Sequence, residues 1–127
     1  MAANTSPIFT RTADVQWGTT ALTAANTAKD GTGTVLTVFT ADATEGGYVE
    51  EVRFRAAGTN VATVARIFIN NGSTNATPAN NILFDEITLA ATTLSEVAAL
   101  ANYSVPINRA LPAGYKINIA LGTAVAA

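Results

Sequence analysis

Two adjacent acidic pairs, Glu50-Glu51 and Asp85-Glu86, are the first groups in this chain whose types could do chemistry. Paired carboxylates cleave glycosidic bonds when they face each other across a cleft, one as acid and one as base or nucleophile. Neighbours on one strand instead point to opposite faces of a sheet. Each pair therefore reads as one solvent-facing charge and one partner for Arg53, Arg55 or Arg66. Asp30, Asp42, Glu45 and Asp85 could offer oxygen to a hard cation, but calcium loops need several carboxylates at close, alternating spacing. Asp30-Gly31-Thr32-Gly33 offers one. The same glycines run into β-prone residues and not into a helix start with a lysine, so they do not form a phosphate cradle.

Ser73, Ser95 and Ser104 have no base to activate them, because the 127 residues contain no histidine and no cysteine. Those two side chains supply most general bases, thiol nucleophiles and soft metal ligands. Lys29 and Lys116 do not stand in a Ser-Lys arrangement that would substitute for them. The expectation is a non-enzymatic protein without cofactor or metal. Trp17, Tyr48, Tyr103 and Tyr115 could stack on sugar rings, yet Trp17 is in phase with Val15, and Tyr103 and Tyr115 share the apolar faces of their segments. Packing in a core or an interface is the default for all four.

The elements that would position these groups read as strands. Val35, Leu36, Val38 and Phe39 lie between threonines in the β-prone run Thr34–Thr40. Val52, Phe54 and Ala56 alternate with Glu51, Arg53 and Arg55, as a half-buried antiparallel strand does. Ala57–Asn60 can close a hairpin into Val61–Asn70, whose Ile67, Phe68 and Ile69 suit a position inside a sheet. Ile82–Leu89, the alternating Tyr103, Val105 and Ile107, and Tyr115 to Leu121 complete the regular strands. Ala24–Gly33, Asp42–Gly47 and Leu111–Gly114 carry turn chemistry. Ala90–Leu100 is readable as a short helix or as a loop. Gly122–Ala127 reads as a turn into a further strand that the chain does not complete. With a short strand at Ile8–Thr12, the count is seven or eight, which predicts an all-β fold. The expected form is a single antiparallel β-sandwich, jelly-roll-like, over 8–127, with an N-terminal arm over 1–7.

Charged residues make up 13% of the chain and the net charge is −2. That share is about half of what a globular domain usually carries. A nucleic-acid partner would require a basic face, so none is expected. No run of about 18 apolar residues exists to cross a bilayer as a helix, and Met1–Pro7 has neither the basic nor the apolar region of a secretory signal. What the chain offers instead is a surface for association. It has a small-residue N-terminus, a long polar loop over Asn70–Asn81, and threonine-rich strands with few lysines to discourage edge pairing.

The segments Ala2-Ala3-Asn4-Thr5-Ser6-Pro7-Ile8-Phe9, Thr23-Ala24-Ala25-Asn26-Thr27 into Asp30-Gly31-Thr32-Gly33, and Val35-Leu36-Thr37-Val38-Phe39-Thr40-Ala41 resemble small virion proteins of tailed bacteriophages. The similarity covers the first third of the chain well and the rest loosely. It implies a virion structural protein, assembled in the host cytoplasm, most often a decoration or cement protein on the capsid exterior. The implied partners are the major capsid protein or other virion proteins, with a symmetric homo-oligomer, a trimer by preference. Under that resemblance Asn4, Thr5, Pro7, Ile8 and Phe9 would anchor the chain, and Asn71, Asn75 and Pro78, in the loop Asn70–Asn81, would meet a neighbour or face solvent. A tail- or fibre-associated protein and a carbohydrate-binding attachment module are the alternatives.

Overall fold

Alternating apolar residues build six strands in the computed structural model, which describes residues 14–127. These are β1 (Leu36–Thr40), β2 (Gly47–Arg55), β3 (Thr63–Asn70), β4 (Asn81–Leu89), β5 (Asn102–Leu111) and β6 (Lys116–Leu121). One 3-10 turn, Pro78–Asn80, is the sole helical element among the described residues. The expected strand at Ile8–Thr12 and the arm over 1–7 lie outside the described residues.

The strands form two antiparallel sheets, one ordered β1-β6-β3-β4 and the other β2-β5. Val49 and Val52 of β2, Val105, Ile107 and Leu111 of β5, Ile67 of β3, and Ile117 and Ile119 of β6 meet in one buried cluster. Both sheets thus turn an apolar face to a common core, as half-buried strands must. The placement of Ile67–Ile69 inside a sheet is borne out, since β3 pairs with β4 on one side and β6 on the other.

The Ala57–Asn60 hairpin is corrected: β2 pairs with β5, and the chain crosses to the other sheet before β3 begins. Asn60 explains the departure. Its backbone pairs with Thr92, N to O at 3.1 Å and O from N at 2.9 Å, and its Oδ1 accepts from the amides of Ala126 and Ala127. Those bonds draw the segment toward the chain end and away from β2. Gly122–Ala127 contains no strand and is tethered there and through Val125 N to Thr23 O. Ala90–Leu100 is a loop, with Val97 and Leu94 exposed.

Each pairing that involves β1, β4 or β5 carries an irregularity. In β2–β5 the extra residue is on β5, where Asn108 takes the left-handed φ of 47° that asparagine tolerates better than most residues. In β3–β4 the extra residue is Phe84, whose ring lies 5.7 Å from the Arg109 guanidinium of β5. Phe84 at one bulge thus meets Arg109, the residue next to the other, and links β4 of one sheet to β5 of the other.

The four-stranded sheet is also covered on its other face. Phe68 and Ala120 are fully buried and Asn118 nearly so, although they point away from the cluster formed by Ile67, Ile117 and Ile119. The segment 24–34 is tied to β6 by Asn26 N to Leu121 O (2.7 Å) and to β4 by Asn81 Nδ2 to Asp30 O (3.1 Å). Spanning those ties lays it across the face that carries Phe68.

Candidate interaction surface

Two regions collect the residues that sequence reasoning singled out. The first is a mesh of side-chain amides where the loop 70–81 meets the segment 24–34. Asn26 Nδ2 donates to Thr32 O and Thr34 O at 2.8 Å each, and its Oδ1 accepts from Ala28 N at 3.0 Å. Asn75 reaches across with Nδ2 to Gly31 O (3.1 Å) and Gly33 O (2.9 Å). Asn81 Nδ2 bonds Asp30 O and Asn75 O, while its Oδ1 takes the Nδ2 of buried Asn70 at 2.8 Å. Asparagine suits this task because its short amide presents donors and an acceptor to backbone groups that no sheet partner satisfies. Gly31 has φ 82°, and a Cβ there would sit 2.5 Å from Asn81 Cβ, so the mesh closes only around glycine.

Asn71, Asn75 and Pro78 all belong to this region. Asn71 is exposed, and its Nδ2 donates to Asn80 Oδ1 at 3.1 Å. Asn75 is half-buried with its amide committed inside the chain, and Pro78 is exposed at the start of the 3-10 turn, where its missing N–H is no loss. Asn4, Thr5, Pro7, Ile8 and Phe9 lie outside the described residues.

The second region is an open cavity of about 1470 Å³ along the margins of β1 and β2, lined in part by Leu36, Val38, Val52, Phe54 and Ile119. Val15, Trp17 and Tyr48 also line it, yet they are 79%, 71% and 63% exposed. Of the core-or-interface packing expected for Trp17 and Tyr48, the core half is therefore corrected and the interface half is untouched. The segment 14–17 is not a strand, so Val15 and Trp17 are not carried into a sheet face. Its Gln16 side chain, not its backbone, meets β1: Oε1 accepts from Thr40 N at 2.9 Å and Nε2 donates to Thr40 O at 3.2 Å. Tyr48 follows Gly47 on the outward side of β2. Tyr103 and Tyr115 are half-buried, and Tyr115 packs on the core.

The acidic pairs are not brought across a cleft, because Glu50-Glu51 is on β2 and Asp85-Glu86 on β4 of the other sheet. Glu51 lies 3.8 Å from Arg53, and Glu86 3.4 Å from Arg66. Hydrogen bonds hold two turn carboxylates below their ordinary pKa. Asp42 takes them from Glu45 N, Thr44 Oγ1 and Thr44 N, and Asp30 from Thr32 Oγ1 and Thr32 N. Both therefore act as turn fasteners. Among the described residues no three acidic side chains gather in a metal-binding group, and no helix is long and apolar enough to cross a membrane.

Sequence reasoning did not single out Gln16, Asn26, Asn70 or Asn81. Their side-chain partners are separated by up to 51 positions, and no local pattern marks such a pair. No family model, no curated protein and no solved structure matches the chain.

Proposed function

We propose that this chain is a non-enzymatic virion structural protein, a decoration protein that binds the exterior of a tailed-phage capsid and stabilises it. In this reading the two sheets are a β-sandwich of jelly-roll type, and the partners are the major capsid protein and further copies of the chain, a trimer by preference. The observation that carries it is the two-stranded sheet β2-β5, which has no third strand among the described residues and stands beside exposed Trp17, with Tyr48 exposed on β2 itself. A two-stranded sheet is marginal alone, and exposed aromatics concentrate at sites of protein contact. The resemblance of the first third of the chain to small phage virion proteins supplies the kind of partner. Many weak apolar and backbone contacts, repeated by symmetry, would reinforce a shell without any reactive group.

Electron cryo-microscopy of particles that contain the chain tests this. Density repeated over the capsid lattice is the expected result, and density confined to the tail moves the assignment to a tail or fibre protein. Absence from particles overturns it. Removing residues 1–7 should abolish attachment while the remaining chain stays folded, and unaltered attachment would eliminate the arm as anchor.

A second reading has one specific observation in its favour. Trp17 and Tyr48 are exposed on the same cavity, an arrangement that a carbohydrate-binding attachment module would use for stacking. A glycan array with the protein and with Trp17→Ala separates the two: binding lost in the variant favours the module, and no binding by either removes it.

A further inference from the structure

The chain contains one asparagine followed by glycine, Asn71-Gly72, and the structure fixes both of its reacting groups. In such a pair the backbone nitrogen of the glycine, once it gives up its proton to hydroxide or a buffer base, attacks Cγ of the asparagine side chain. The new C–N bond closes a five-membered succinimide, and the side-chain nitrogen leaves as ammonia. Water then opens the ring at either carbonyl, leaving aspartate or isoaspartate. Glycine makes the attack easy because no Cβ obstructs the approach.

Here the nucleophile is engaged. Gly72 N donates its proton to Asn70 Oδ1 at 2.8 Å, and Asn70 is fully buried with its own Nδ2 held by Asn81 Oδ1. The electrophile is engaged as well. Asn71 Oδ1 accepts from Ser73 N at 3.1 Å, its Nδ2 donates to Asn80 Oδ1 at 3.1 Å, and its backbone N donates to Asn80 O at 3.0 Å. Gly72 cannot swing freely either, since a Cβ on it would lie 2.8 Å from Gly114 O in the β5–β6 turn.

We infer that Asn71 is a deamidation site gated by Asn70, closed while the 70–81 loop is braced and open once the Gly72 N–H is released. The product would set a carboxylate oxygen against Asn80 Oδ1, where a donor stood before. Modification therefore works against re-formation of the brace, and each event converts a reversible opening into a lasting one.

The test follows the amide-to-acid mass gain and isoaspartate at position 71 by peptide mapping of the full chain, held at mildly alkaline pH in native buffer and in concentrated urea. Native protein should react at least about tenfold more slowly than unfolded protein, the factor that loss of a single hydrogen bond represents. Asn70→Ala, checked for folding by circular dichroism, should raise the native rate by about tenfold. If that variant does not fold, Asn80→Ala removes the partner of the Asn71 amide without emptying a buried site and should raise the rate severalfold. Equal rates in native buffer and urea overturn the inference. So does a folded Asn70→Ala protein, or a folded Asn80→Ala protein standing in for it, that deamidates at the native rate.

Discussion

The amide-braced region and the open margin beside β2 solve the same problem in opposite ways. Both contain backbone outside the regular ladders and both lie against an apolar face. Around residues 24–34 and 70–81, side-chain amides saturate the loop carbonyls and the chain covers Phe68 completely. Beside β2, among the described residues, the aromatic rings of Trp17 and Tyr48 stay in solvent along an open cavity. The contrast separates residues that hold the fold from residues free to meet something else. Exposed apolar side chains contribute little to folding and much to contact.

Substitutions break the comparison in a graded way. Phe68→Ala should have the largest effect, a loss of about 3–5 kcal/mol in chemical denaturation, because it empties a sealed site beneath the braced segment. Asn81→Ala should cost about 2–3 kcal/mol, since it strands the buried Nδ2 of Asn70 and frees Asp30 O together. Trp17→Ala should change stability by no more than about 0.5 kcal/mol. A loss of several kcal/mol at Trp17 would mean that the open margin is part of the fold after all.

Acid should have the smallest effect. Asp30 and Asp42 have folded pKa values below the ordinary 3.8, so their contribution is complete above that value and lost as pH falls through the lower folded one. Both are solvent-exposed, so amide exchange in the 30–33 and 42–46 turns should rise below about pH 4 while the core exchanges as before.

Much of the strand pattern was legible in the sequence. Val52 and Phe54 against Arg53 and Arg55, and the alternation from Tyr115 to Leu121, mark β2 and β6 because a half-buried strand has period two. The pairing was not legible. A turn-like Ala57–Asn60 does not reveal that Asn60 is bound to Thr92 and to the final residues, so a hairpin was the economical reading. Asn118 and Ala120 carry no sign of burial either, since the cover over them comes from a loop about ninety positions away. Of the candidate site, the polar loop was visible as a long loop, whereas its internal amide bonding depends on the folded approach of Gly31 and Gly33 to Asn75.

Gln16 has a consequence for how the molecule behaves in company. A free strand margin is a template, and each outward N–H and C=O on β1 invites the next chain to continue the ladder. The Gln16 amide imitates one residue of such a chain at Thr40, filling donor and acceptor together, but a side chain has no further residues with which to go on. Among the described residues, a ladder that starts at Thr40 meets a terminator there, which works against fibre growth when many copies are crowded together.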